Sequence, residues 1–140
     1  MGGLSQTSIA LLGFVGLFLV LLLILAGLRA MVTLSGRIKA NAFLTTGEDV
    51  SPFSRRLVRA HANMYEFFPV YGGVLLYAIA TGQTGITNGL ALFFLGARVA
   101  QALIHIASTS IIAVQVRFFF FLVQFFIAAF WVLKFFGILG

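Results

Sequence analysis

Four long stretches almost free of charge constrain this chain more than any other feature. They cover about residues 8–31, 59–81, 88–107 and 116–136. A helix needs about 20 apolar residues to cross the hydrocarbon core of a bilayer. Each run meets that length, and none alternates polar and apolar residues as a barrel strand would. Only 9% of the 140 residues are charged, against about a quarter in soluble domains, which excludes a water-soluble globular fold. The expectation is an all-α integral membrane protein, a four-transmembrane-helix bundle in one domain over residues 1–140. The first run is too long for a secretory leader, and the seven residues before it carry no charged side chain, so it reads as a permanent helix. With no cysteine in the chain, thiol catalysis by the protein, disulfides and cluster ligation are excluded.

The connections set the expected topology. Residues 35–59 hold five of the nine basic residues, Arg37, Lys39, Arg55, Arg56 and Arg59, and basic connections stay in the cytoplasm. The uncharged turn at 82–87 then lies outside and the 108–115 connection inside. Both termini fall on the non-cytoplasmic side, the expected setting being a bacterial inner membrane. Lys134 opposes this orientation, and snorkelling accommodates it. Ser51 followed by Pro52 predicts a helix start, with a serine cap and proline at the first helical position. Gly96 with Ala100, and Ala26 with Ala30, offer small-residue patches for close helix contact.

Polar residues inside the spans cost about 2.5–3.5 kcal/mol each when charged, so each needs a reason to be there. Their spacing supplies one. Arg59, Asn63 and Glu66 fall at i, i+4 and i+7, one face of the second helix. Arg98, Gln101 and His105 share a face of the third, and Arg117, Phe121 and Gln124 form a stripe on the fourth. Turned toward one another, these stripes make a cluster with excess positive charge and several amides, suited to an anionic, hydrogen-bonding ligand. Glu66 is the lone acid within the spans, and Arg98 is its expected partner. His61 and His105 lie on different helices without acidic company, so no metal site is expected. Most of the 17 phenylalanines read as lipid-facing or packing residues.

The run Arg59-Ala60-His61-Ala62-Asn63-Met64-Tyr65-Glu66-Phe67-Phe68-Pro69 resembles the second-helix signature of the MAPEG superfamily, the membrane-associated proteins of eicosanoid and glutathione metabolism. The stretch from Gly36 to Phe43 with Glu48 and Asp49 is similar to the family's first cytoplasmic loop. Ala97-Arg98-Val99 is similar to its third helix, and Arg117 with Phe121 to the start of its fourth. The similarity runs from about residue 36 to 124, and the second-helix motif is the specific part of it.

The resemblance implies a homotrimer that binds glutathione as co-substrate between neighbouring subunits on the cytoplasmic side. It implies that Asn63 and Glu66 hold the peptide's polar groups, that Arg37 reaches in from the adjacent subunit, and that Arg98 supports Glu66. Arg59, Gln101 and His105 complete the expected binding set. Arg117, at the cytoplasmic start of the fourth helix, stands where the family's arginine stabilises the thiolate. The implied activity is that of a glutathione-dependent transferase or peroxidase acting on hydrophobic electrophiles that enter from the lipid. His105 and Phe121 stand where the family often has tyrosine, which motivates an alternative: a non-catalytic member that binds lipid or serves as a membrane scaffold. A third reading, a small proton-coupled exporter, rests on Glu66 alone, and its arginine neighbours argue against it.

Overall fold

A computed structural model describes residues 3–139. Met1, Gly2 and Gly140, at the ends of the domain expected over 1–140, lie outside the described residues. Four antiparallel helices make up the fold: α1 (Gln6–Leu34), α2 (Pro52–Ala80), α3 (Thr84–Ala107) and α4 (Ile111–Phe135). The α2–α3 and α3–α4 connections are three residues each, too short for anything but an antiparallel neighbour.

Local chemistry sets the helix ends. Ser5, Ser51 and Ser110 each accept a hydrogen bond from the backbone N–H three residues on, capping α1, α2 and α4. Pro52 occupies the first turn of α2 as its fixed φ and missing N–H favour. Helix α1 stops at Gly36, whose φ of 77° lets the Arg37 N–H turn back to the Val32 carbonyl. The α3–α4 connection is shorter than the sequence suggested. Ser110 caps the helix at once, and nothing in Ile-Ile-Ala-Val-Gln breaks it. Arg117 therefore lies nearly two turns into α4 rather than at its start.

Helices α1, α3 and α4 are long and apolar enough to cross a membrane. Helix α2, equally long, is set apart by the polar first half that carries Arg55, Arg56, Arg59, Asn63 and Glu66. Its Pro69 removes one backbone donor inside the helix, a break that spanning helices tolerate.

Helix α3 is central: it packs against all three others, whereas α1 and α4 do not touch among the described residues and α2 meets α4 only lightly. The core converges on one α3 residue. Phe94, fully buried, lies 5.4 Å from Phe14 of α1, 5.1 Å from Tyr71 of α2 and 4.9 Å from Trp131 of α4, centroid to centroid. Such tilted and edge-on aromatic pairs add to the burial of their large surfaces. At Gly13 of α1 the Leu95 side chain of α3 packs so close that an added Cβ would overlap it. Gly96, Ala26 and Ala30, which the small-residue spacing pointed to, instead face outward. At the far end of the bundle Thr7 donates to Asn88 Oδ1 at 2.7 Å and meets Thr87, tying the first turn of α1 to α3.

Candidate functional site

One turn along α3 from Phe94, toward the end that carries residues 35–51, the core changes character. Arg98 occupies the next position of the same face and is 1% exposed. A guanidinium has five donors and no acceptor, so its neighbours must present oxygen. Arg98 Nη2 donates to Asn63 Oδ1 on α2 at 2.8 Å, and Nη1 makes a longer contact of 3.5 Å to Gln101 Oε1. Gln124 on α4 donates to the same Gln101 oxygen at 2.7 Å and to the Phe120 carbonyl at 3.0 Å. One network thus joins α2, α3 and α4.

The network corrects the expected Arg98–Glu66 pair. Arg98 is turned to Asn63 and Gln101, and Glu66, three residues beyond Asn63, is rotated by roughly 60° around α2 at about 100° per residue. That rotation carries it to the outside, where it is exposed. Among the described residues the one ion pair is Arg55–Glu48, at 3.6 Å.

Because α2 and α4 barely meet, a cleft opens between them above α3. It comprises three adjoining hollows of about 230, 230 and 250 Å³. The first is lined by Asn63, Phe67, Gln101, Arg117 and Phe121 among others. The second lies between Arg55, Arg56, Arg59, His105 and Arg117, and the third between Arg59, Ala62, Asn63, Glu66 and His105. Each alone is below the roughly 300 Å³ of a small-molecule pocket, but they share Asn63, Arg59, His105 and Arg117 and form one site. A separate hollow of about 510 Å³ lies at the far end between Pro69 and Phe136, and no charged group lines it.

The network also fixes which amide atoms face the cleft. Arg98 can only donate, so the Asn63 and Gln101 oxygens must point to it. Their NH₂ groups are left without a partner among the described residues. The Nε of Arg117 is likewise buried without one. His105, 5% exposed, forms the floor beside Arg59 and Arg117. The cleft thus offers amide and guanidinium donors on nearly every side and one carboxylate, Glu66. Phe67 and Phe121, edge-on at 5.6 Å, close its inner wall with apolar surface.

Of the residues singled out in the sequence, Arg59, Asn63, Glu66, Gln101, His105 and Arg117 line this cleft, and Arg98 lies beneath it. Arg37 does not reach it: its Nη2 donates to the Val50 carbonyl at 2.6 Å and contacts the Asp49 carbonyl at 3.4 Å, bracing the α1–α2 connection. Sequence reasoning passed over Arg55, Arg56 and Phe67 as cleft residues. Arg55 lies four before Arg59 and Phe67 four after Asn63, so the helical stripe extended one turn each way would have found two of them.

A family model described as MAPEG family matches residues 7–137. No curated protein and no solved structure matches the chain.

Proposed function

The chain belongs to the MAPEG family, and on that premise we propose that it is a glutathione-dependent transferase or peroxidase acting on hydrophobic electrophiles, with the α2–α4 cleft as its glutathione site. At family level it is a membrane protein of glutathione or eicosanoid metabolism, and its four-helix bundle is that of the family. The observation that carries the finer reading is the donor set: amide N–H groups and arginines around one carboxylate. That set suits a ligand with two carboxylates and one ammonium, which is the charge pattern of glutathione. Arg59, Asn63 and Gln101 would take the carboxylates, and Glu66 the ammonium. Bound there, glutathione supplies a thiol whose sulfur forms a bond to the electrophilic carbon as the leaving group departs. Arg117, with its free Nε, would hold the thiolate by charge. The Phe67, Phe118 and Phe121 surface beside it would admit a lipid-soluble electrophile.

The exposure of Glu66 and Arg59 supports assembly as a homotrimer. Both face out of the single chain at a depth where a charge turned to lipid is costly. A neighbouring subunit would cover that face and could bring its own Arg37 to it, opening toward the cytoplasm. Native mass spectrometry would read the expected trimer.

Thermal unfolding of the detergent-solubilised protein with glutathione tests the site. At 100 times the dissociation constant the ligand should add about 2.7 kcal/mol. Arg117→Ala should lose at least a hundredfold in conjugation rate with the trimer intact; unchanged turnover would sink the assignment. Phe121, which offers no hydroxyl, favours a second reading, a non-catalytic member that binds lipid or acts as a scaffold. Co-purified lipid with no conjugation across an electrophile panel would establish that reading instead.

A further inference from the structure

The cleft continues past its three hollows to the end of the bundle that carries residues 35–51. A further hollow of about 400 Å³ opens there, lined by Glu48, Ser51, Pro52, Arg55, Arg56 and Thr109. It shares Arg55, Arg56 and Thr109 with the inner hollow that holds Arg59, His105 and Arg117. The shared residues are therefore the doorway between the two. Arg56 is fixed in that doorway, since its Nε donates to the Ile106 carbonyl in the last turn of α3 at 2.6 Å, a favourable place for a cation. That bond leaves both Nη groups of Arg56 without a partner among the described residues. Arg55, by contrast, meets Glu48 at 3.6 Å, and both side chains are 53% exposed. A pair so open to water exchanges partners readily. From the mouth inward, Arg55, Arg56, Arg59 and Arg117 give a continuous cationic path, and Glu48 is the one acid lining the outer hollow.

We propose that Arg55 and Arg56 form an outer docking site for a small oxyanion, a carboxylate or phosphate, at which Glu48 is a tethered competitor that the incoming anion displaces from Arg55. Entry of an anionic ligand to the cleft then runs through this site, and cationic focusing at the mouth raises its association rate. The entry role rests on the reading of the cleft as a glutathione site; the oxyanion site itself does not.

The experiment uses the full chain in discs of neutral phosphatidylcholine, with nitrogen-15-labelled arginine, titrated with inorganic phosphate. Phosphate is expected to shift the Arg55 and Arg56 side-chain signals. Glu48→Gln is expected to tighten the phosphate Kd at least threefold, and that gain to vanish when Arg55→Gln is added. An equal Kd in wild type and Glu48→Gln, or a gain that survives Arg55→Gln, overturns the competitor. Saturation of the same signals by phosphatidylglycerol discs without added phosphate overturns the small-anion assignment in favour of a lipid headgroup. Stopped-flow binding then tests the entry role. Glutathione association is expected to fall severalfold in Arg55→Gln at low salt, with dissociation unchanged and the difference lost in high salt. Phosphate binding without any glutathione binding overturns the glutathione reading and keeps the docking site. Glutathione binding at a rate indifferent to salt and to Arg55→Gln, with phosphate silent, overturns the docking site and keeps that reading.

Discussion

Phe94 and Arg98 lie one turn apart on the same face of α3, equally buried, and organise two layers of opposite chemistry. Around Phe94, four helices meet through aromatic rings. Around Arg98, three helices meet through amides. The aromatic layer is non-directional: its strength follows filled volume, and a lost ring leaves a cavity. The polar layer is directional, since one guanidinium dictates how two amides turn and so which donors the cleft presents. The first layer holds the bundle together and the second sets what it can bind.

Substitutions can separate the two. The largest effect is expected from Phe94→Ala, about 3–5 kcal/mol of unfolding free energy from the emptied centre, with glutathione affinity of the folded fraction nearly kept. A large loss of affinity beside a small loss of stability would break the division of labour. Asn63→Leu comes next, at about 3 kcal/mol, because it strips a buried guanidinium of its best acceptor; denaturant unfolding should show this together with a loss of glutathione binding. Gln124→Leu should cost about 1 kcal/mol and weaken glutathione severalfold, although Gln124 lines none of the three hollows. Calorimetry with wild-type affinity would show that Gln101 needs no support from α4. The smallest effect belongs to Thr7→Val at the far end, about 0.6 kcal/mol as for an average hydrogen bond between membrane helices. Its thermal unfolding should shift slightly, and conjugation should not change.

Much of the fold was legible because it depends on local chemistry. Although the cap at Ser110, which starts α4 several residues before the expected position, was not read, the serine cap at Ser51 and the proline at position 52 act on their own helix end whatever the rest of the chain does. The stripes through Asn63, Arg98 and Arg117 were legible for the same reason, since helical spacing alone puts them in line. The partner of Arg98 was not legible. Asn63 and Glu66 belong to one stripe, and only the rotation of α2 against α3 selects Asn63. The contact face of α1 was also hidden: the small-residue spacing pointed to Ala26 and Ala30, which face outward, whereas Gly13 is the position that packs against Leu95 of α3.

The sequence by itself determined that this is a membrane bundle of four helices with a polar stripe on three of them, because hydrophobicity and helical period are properties of the chain. Its second-helix motif also pointed to the family. Only the tertiary structure decided that Arg98 braces Asn63, that Glu66 turns outward, that Arg37 lies against the carbonyls of Asp49 and Val50 rather than in its own subunit's cleft, and that Arg55 and Arg56 line the outer end of the cleft. Those outcomes depend on helix rotation and on the gap between α2 and α4, which arise from packing all four helices at once.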